Sequence, residues 1–113
     1  MAKNVAVIIQ EDPRKTHRPV EALRIALGLV AGSHTTTVVL LGEAVRLLSK
    51  DTDDIIDVDI LEKYLPSIKQ LEMPFILETV TDRSRVRGEF LIHYESDEHI
   101  CSLIQVMDRT LVF

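Results

Sequence analysis

Short runs of branched apolar residues recur along the chain and alternate with longer segments that mix apolar and polar positions. The run from Asn4 to Gln10 is almost entirely Val, Ala and Ile, which is typical of a strand covered on both faces of a parallel sheet. Runs at 35–41 and 74–78 predict a second and a third strand, and shorter runs at 90–94 and 110–113 predict two more. The apolar pattern thus predicts five strands.

The segments between these strands place their apolar residues at helical spacing. One broad apolar stripe runs from Pro19, which suits the first turn of a helix, to Gly32, which ends it. The same spacing over 61–68 predicts a second helix, in which Pro66 causes either a kink or a break into two short helices. Ser96 is a favourable N-cap and predicts a further helix, whose first turn carries two acidic residues.

The alternation of strands and helices defines the expected fold class. Strands that are joined through helices pair in parallel. We therefore predict a single α/β domain over residues 1–113, a three-layer α/β/α structure with a mostly parallel five-stranded sheet of the flavodoxin-like kind. Residues 43–48 predict an additional short helix. The stretch 51–59 is acidic and irregular, and Asp57 or Asp59 is expected to cap the helix that follows it.

Charge and composition disfavour several classes of function. The formal net charge is −5, which opposes binding to a nucleic-acid backbone, and the basic runs at 14–18 and 83–87 are short and lack interleaved aromatic residues. The longest apolar segment, 22–31, is too short to span a bilayer. Cys101 is the only cysteine, which excludes an intramolecular disulfide and favours a reducing compartment. We therefore expect a soluble cytoplasmic protein that binds neither nucleic acids nor membranes.

The loops that follow the strands are the expected position of a binding site. In an open parallel sheet, ligands bind beyond the carboxyl ends of the strands. The loops at that edge are 11–18 after the first strand, 42–43 after the second and 78–83 after the third. The candidate ligand-binding residues in these loops are Arg14, Lys15, His17, Gly42, Glu43, Glu78, Thr79, Asp82 and Arg83.

No complete catalytic or metal-binding constellation can be recognised, and we predict no cofactor. Glycine-rich phosphate loops are absent. The four histidines have no partners at metal-ligand spacing, and the aspartates of 51–59 do not follow the EF-hand pattern. His17 is the only histidine in the predicted site, where it is available as a proton carrier. An enzyme that uses a loop site around His17 and Asp82 is therefore one alternative to a binding protein.

The single thiol offers a second alternative. Cys101 lies beside Ile100 on the last predicted helix, which predicts that it is a small buried hydrophobic residue. Its nearest acidic neighbours, Asp97 and Glu98, oppose ionisation of the thiol. A sulfur carrier that uses Cys101 from this position is the second alternative.

Five stretches of the chain share the pattern of one protein family. These stretches are 22–29, 37–45, 64–77, the pair Arg87-Gly88 and 108–113. Through these stretches the chain resembles the DsrE/DsrF/TusD-like family of sulfur-relay proteins over nearly its whole length. The resemblance implies a DsrE-like fold and a small cytoplasmic subunit that forms homo- or hetero-oligomers, often trimers or hexamers. It also implies a relay of sulfur as a cysteine persulfide.

The chain departs from this family at the position of the active cysteine, which follows the third strand and precedes the Arg-Gly pair. Here the stretch from Glu78 to Arg83 contains no cysteine, and neither Thr nor Val can carry sulfane sulfur. We therefore expect a non-catalytic homo-oligomeric subunit, a trimer or a hexamer. We expect it to bind a sulfur-carrier protein or a small anionic ligand in intracellular sulfur metabolism.

Overall fold

Strand β1 (Asn4–Ile9) occupies an inner position of a five-stranded sheet in the computed structural model, which describes residues 2–113. The other strands are β2 (Thr35–Leu40), β3 (Phe75–Glu78), β4 (Ile92–Glu95) and β5 (Arg109–Val112). Their spatial order is β4-β3-β2-β1-β5, and every neighbouring pair is parallel. The predicted fold class, an α/β structure with a five-stranded parallel sheet, is confirmed.

Helices cover both faces of this sheet and complete the three layers. They are α1 (Arg18–Ala31), α2 (Val58–Leu71), α3 (Asp97–Gln105) and a 3₁₀ helix (Gly42–Leu48). The buried residues of α1, α2 and the 3₁₀ helix share the main core with residues such as Val7 and Phe75 of the strands. On the opposite face, Ile100 of α3 packs in a smaller core with Ile8 and Ile76. None of the helices between residues 2 and 113 has the length and apolarity needed to cross a lipid bilayer.

The course of the chain across the sheet explains why α3 lies on the opposite face from the other helices. From β1 to β4 each strand is placed beside its predecessor, and the chain then returns across the sheet to place β5 on the free side of β1. Crossovers between parallel strands are right-handed. A crossover that runs back in the opposite direction must therefore pass over the opposite face.

Local details differ from the sequence predictions in three places. Pro66 lies inside α2, which is one helix over Val58–Leu71, so the predicted break into two short helices is wrong. Buried Leu61 and Ile68, on either side of Pro66, hold the helix against the core and offset the hydrogen bond that proline cannot donate. Asp57 occupies the N-cap position of α2 with a φ of 63°, but its side chain makes no capping hydrogen bond. Neither expected aspartate therefore caps this helix through its side chain.

The fourth strand begins later than the apolar run predicts. Phe90 is buried but lies before β4, where its ring contacts Phe75 edge-on with 5.9 Å between the ring centroids. Leu91 is exposed. Of the first two apolar residues of the run, Phe90 therefore packs in the core and Leu91 lies in the turn before β4. The predicted cap of α3 is confirmed, because the Ser96 side chain accepts a hydrogen bond from the backbone N–H of His99.

Two glycines in different backbone conformations provide a matched test of the local geometry. Gly42 has a φ of +55° and Gly28 lies inside α1, and at both positions an added Cβ would meet no atom within 4 Å. We expect Gly42→Ala to destabilise the protein by about 1 kcal/mol, because a left-handed backbone is costly for alanine. We expect Gly28→Ala to stabilise it by about 0.5–1 kcal/mol through helix propensity. Urea unfolding followed by circular dichroism measures both changes, and equal effects at the two positions would contradict the assigned backbone geometry.

Candidate functional site

The carboxyl ends of β2 and β3 are joined by a direct hydrogen bond. Glu78, the last residue of β3, accepts it from the backbone N–H of Gly42 at 3.0 Å. Gly42 is also the first residue of the 3₁₀ helix that follows β2. Its left-handed backbone turns the chain at this point. The contact fixes the start of the 3₁₀ helix next to the end of β3.

A cleft of about 480 Å³ opens beside this junction. One wall is formed by the 3₁₀ helix and the loop that follows it, and the other is formed by residues 81–86. The volume lies within the range of small-molecule sites. The charged residues that line the cleft are Glu43, Arg46, Lys50, Asp51, Asp54, Asp82 and Arg85.

The two walls are joined by a short antiparallel bridge that lies outside the five-stranded sheet. Ser49 and Val86 form an isolated bridge. On either side of it, the backbone N–H of Lys50 donates to the carbonyl of Arg85 at 3.1 Å, and that of Arg87 donates to the carbonyl of Leu48 at 2.9 Å. The cleft is therefore built on main-chain contacts between segments that are far apart in sequence.

Arg87 strengthens this connection through its side chain. It lies 3.3 Å from Glu62 of α2, and the same carboxylate oxygen accepts a hydrogen bond from the hydroxyl of Thr52 at 3.2 Å. Thr52 is buried. The arginine of the Arg87-Gly88 pair thus ties the segment after β3 to the loop before α2 and to α2 itself.

A chain of alternating charges borders the cleft on the side of β1. The guanidinium of Arg14 donates two hydrogen bonds to the carboxylate of Asp12, at 3.1 and 2.8 Å. It also lies 3.6 Å from Glu43, which is 2.5 Å from Arg46. Hydrogen bonding from Arg14 lowers the pKa of Asp12 to about 2. Arg14 is therefore already paired with carboxylates of its own chain.

The segment after β3 is ordered by a similar local arrangement. The carboxylate of Asp82 accepts hydrogen bonds from the hydroxyl of Ser84 at 2.6 Å and from its backbone N–H at 3.1 Å. These bonds lower the pKa of Asp82, and the nearby charge of Arg85 lowers it further. Arg83 points away from this arrangement, with its guanidinium 4.0 Å from the centre of the Tyr94 ring.

The nine residues predicted for the site lie in different positions relative to the cleft. Gly42, Glu43 and Asp82 line the cleft. Arg14 and Glu78 border it through the contacts with Glu43 and Gly42. The residues that lie outside the lining of the cleft are Lys15, His17, Thr79 and Arg83.

His17 and Asp82 are placed in separate surroundings. His17 is exposed at the N-cap position of α1, where its carbonyl accepts a hydrogen bond from the backbone N–H of Glu21. Asp82 lies on the far wall of the cleft. The cleft therefore includes only one of the two side chains on which the enzyme alternative is built.

Five charged residues of the cleft were not predicted as site residues from the sequence. They are Arg46, Lys50, Asp51, Asp54 and Arg85. Arg85 belongs to a basic run that is visible in the sequence, but nothing local shows that this run faces residues 49–51. The pairing of Ser49 with Val86 brings them together.

The prediction that Cys101 is buried is wrong, because the residue is exposed on α3. Successive residues of a helix point about 100° apart, so the neighbour of the buried Ile100 turns towards solvent. Its surroundings on the helix are acidic, since Asp97 and Glu98 occupy the first turn. The exposed thiol lies outside the cleft.

The histidines make local contacts. His34 accepts a hydrogen bond from the backbone N–H of Lys3 at 3.1 Å, and His99 lies 2.5 Å from Glu95. Within residues 2–113, no three His, Cys, Asp or Glu side chains are grouped as ligands of a metal ion.

These elements define a three-layer α/β/α protein of the flavodoxin-like, DsrE-like type with a small polar cleft at the carboxyl edge of its sheet. The chain is similar in fold to the ychN protein of Escherichia coli, with a TM-score of 0.74, 14% sequence identity and full coverage of both chains. At this identity the likeness concerns the fold alone. No protein-family model and no curated protein sequence matches the chain.

The contact between Asp12 and Arg14 makes stability depend on pH in a defined window. The pKa of Asp12 is about 2 in the folded state, below its ordinary value of 3.8. The stabilisation is therefore complete above pH 4 and is lost as the pH falls towards 2. We expect Asp12→Asn to lower the melting temperature at pH 7 and to reduce the further loss between about pH 4 and pH 2.

Thermal unfolding followed by circular dichroism at pH 7, 4 and 2 measures this difference. Glu89→Gln is the matched control, because Glu89 is exposed and lies outside the charge chain around Arg14. An equal acid sensitivity of Asp12→Asn and the unaltered protein would show that Arg14 does not stabilise the charged form of Asp12.

Proposed function

We propose that this chain is a non-catalytic, self-associating subunit of the DsrE-like kind that holds a partner or a small ligand at the cleft. The proposal combines the resemblance of its motifs to sulfur-relay proteins with the chemistry of the cleft. It assigns the protein a place in intracellular sulfur metabolism as a component that binds a sulfur-carrier protein or a small polar molecule. The transfer of sulfur itself is assigned to another protein.

The observation that carries this proposal is the mutual pairing of the charged side chains at the cleft. Glu43 is shared by two arginines, and Asp82 accepts hydrogen bonds from Ser84 and lies 3.5 Å from Arg85. A catalytic base or nucleophile needs a neighbour that activates it. Carboxylates that are already paired with arginines are weak bases, which supports a non-catalytic role for these side chains.

The stretch that would hold the active thiol of a sulfur relay supports the same assignment. Thr79 and Val80 are exposed after β3, and Thr81 lies in the lining of the cleft. Hydroxyl and aliphatic groups cannot form a persulfide. A DsrE-like subunit with this stretch is suited to forming an assembly or docking a carrier, and its partner supplies the reactive sulfur.

Self-association is supported by the outer edge of β5. All four residues of the strand are exposed, and Leu111 and Val112 leave 36% and 51% of their surfaces in solvent. One side of β5 pairs with β1 and the other side has no neighbouring strand within residues 2–113. An open apolar edge of this kind favours pairing with another copy.

Cys101 provides the one specific observation in favour of a second function. Its exposure makes the thiol accessible to a sulfur donor, as a sulfur carrier requires. Against this, Asp97 and Glu98 in the first turn of α3 place negative charge on the same helix as the thiol. A carrier function would therefore need a partner that supplies positive charge next to α3.

The oligomer is testable with substitutions on β5. We expect light scattering of the unaltered protein to give a mass several times that of one chain, and the family resemblance implies a trimer or a hexamer. Replacing Leu111 and Val112 together by Lys should weaken the association at least tenfold, because like charges would face each other across the interface. Val80→Lys is the control, since Val80 is 87% exposed on a distant loop. A monomeric unaltered protein would contradict self-association.

The thiol is tested separately by its reactivity. We expect Cys101 to react with iodoacetamide at pH 7 no faster than glutathione does, because the charged residues in the first turn of its helix are acidic and none in the last turn is basic. We also expect intact-mass spectra of the purified protein to show no added sulfur. An added sulfur atom that Cys101→Ser removes would instead establish the sulfur-carrier function.

A further inference from the structure

The hydrogen-bonding groups on the outer side of β5 belong to defined residues. Phe113, which follows β5, donates its N–H to the carbonyl of Ile8 and accepts a hydrogen bond from the N–H of Gln10, both at 2.8 Å. Along a strand, residues that bond one neighbour alternate with residues whose N–H and C=O point the other way. The N–H and C=O groups of Thr110 and Val112 are therefore directed away from β1.

The other edge strand, β4, is protected against such pairing. Consecutive residues of a strand point to opposite faces, and β4 has charge on both of them. Glu95 lies 2.5 Å from His99 on one face, and on the other the guanidinium of Arg83 lies 4.0 Å from the centre of the Tyr94 ring. Charged groups on an edge strand oppose pairing with another chain. After its first residue β5 consists of Thr, Leu and Val, so it is the less protected edge.

A second copy of β5 fits this edge in one orientation. If two copies ran parallel about a two-fold axis, each N–H would lie level with the same N–H of the other strand, and no hydrogen bond could form. In antiparallel orientation the N–H of one strand faces the C=O of the other. The resulting contact is closed, whereas β5 against β4 of another copy would add copies without end.

The hydrogen bonds within one chain select the register of this pair. An axis at Thr110 would place Val112 opposite Asp108 of the second copy. The N–H of Asp108 is already donated to the carbonyl of Asn4 at 2.8 Å. With the axis at Leu111, each Thr110 instead exchanges hydrogen bonds with Val112 of the other copy, which gives about four bonds in total. This register uses every outward group of both residues.

The side chains are compatible with an axis at Leu111. This residue, 36% exposed, would lie opposite its own counterpart, with about 4.5 Å between the Cα atoms. Arg109 would lie opposite Phe113 of the second copy. The two arginines are then about 13 Å apart along the strands, which exceeds the screening length of about 8 Å at physiological ionic strength. The charges of the two arginines therefore do not oppose the pairing.

We propose that two copies of the chain pair through β5, antiparallel and about a two-fold axis at Leu111, so that their two five-stranded sheets become one. The assignment deepens the proposed self-association, on which it rests, by giving the contact and its register. A hexamer can be divided into such pairs, whereas a ring of three copies has no two-fold axis. The assembly therefore contains an even number of copies.

Cross-linking tests the register. We expect Leu111→Cys, in a chain that also carries Cys101→Ser, to form a disulfide-linked dimer on oxidation, because the two Cα atoms lie at a distance that suits a disulfide. Val112→Cys in the same background is the matched control. Val112 is more exposed than Leu111, at 51% against 36%, but its counterpart lies beyond the limit of about 7 Å for a disulfide. It should cross-link at least tenfold more slowly.

Proline substitutions test the outward hydrogen bonds. Thr110→Pro removes an N–H that points away from β1 and keeps the bonds with β1, so we expect association at least tenfold weaker in light scattering and an unchanged circular dichroism spectrum. Ile92→Pro is the control on β4. Because Phe75 donates to the carbonyl of Leu91, the N–H of Ile92 points outwards, and its loss should leave the association unchanged. The cross-linking pair decides the register if Thr110→Pro does not fold.

Three results would overturn the pairing through β5 alone. They are equally fast cross-linking of Leu111→Cys and Val112→Cys, an association that Thr110→Pro leaves unchanged, and an assembly of three copies. Failure of the proposed self-association has a different signature. The unaltered protein would then be a monomer at every concentration, and neither cysteine variant would give a cross-linked dimer.

Discussion

The structure depends on the burial of a parallel sheet from both sides. The backbone of β1 is bonded to a strand on each side, and its residues from Val5 to Ile9 are all buried. Such a strand is stable only if apolar layers cover both faces, because its side chains alternate between them. Crossovers on both faces provide those layers. Because the strands are parallel, the same arrangement gathers the ends of β1, β2 and β3 at one edge.

The two covering layers are unequal, and this has consequences for assembly. Three helical elements cover the face of the main core, but α3 alone covers the opposite face. A single helix is about 10–12 Å wide with its side chains, whereas five strands extend over about 19 Å. The edge strand β5 is therefore the least covered part of the sheet. The self-association that we propose would cover its exposed aliphatic residues, Leu111 and Val112.

The sequence predicts those features that follow from the local pattern of apolar residues. The runs at 4–10 and 35–41 predict inner strands because their consecutive apolar residues, 5–9 and 38–41, leave no polar face for solvent. The same reasoning fails for Cys101, whose exposure depends on a rotation of one residue around α3. It also fails for the cleft, because the pairing of Ser49 with Val86 joins loops that carry no periodic pattern. Tertiary pairing of irregular segments has no signature in a single sequence.

The pairing of Arg14 shows why charged residues at a sheet edge do not by themselves indicate an anion site. An unpaired guanidinium at that edge would attract anions, but Asp12 lies two residues earlier and receives two of its hydrogen bonds. Glu43 then approaches the same group. Once such charges are satisfied within the chain, a ligand gains little by displacing them, because each displaced carboxylate must be solvated again. A charged residue at this edge therefore indicates a ligand site only where its charge has no partner within the chain.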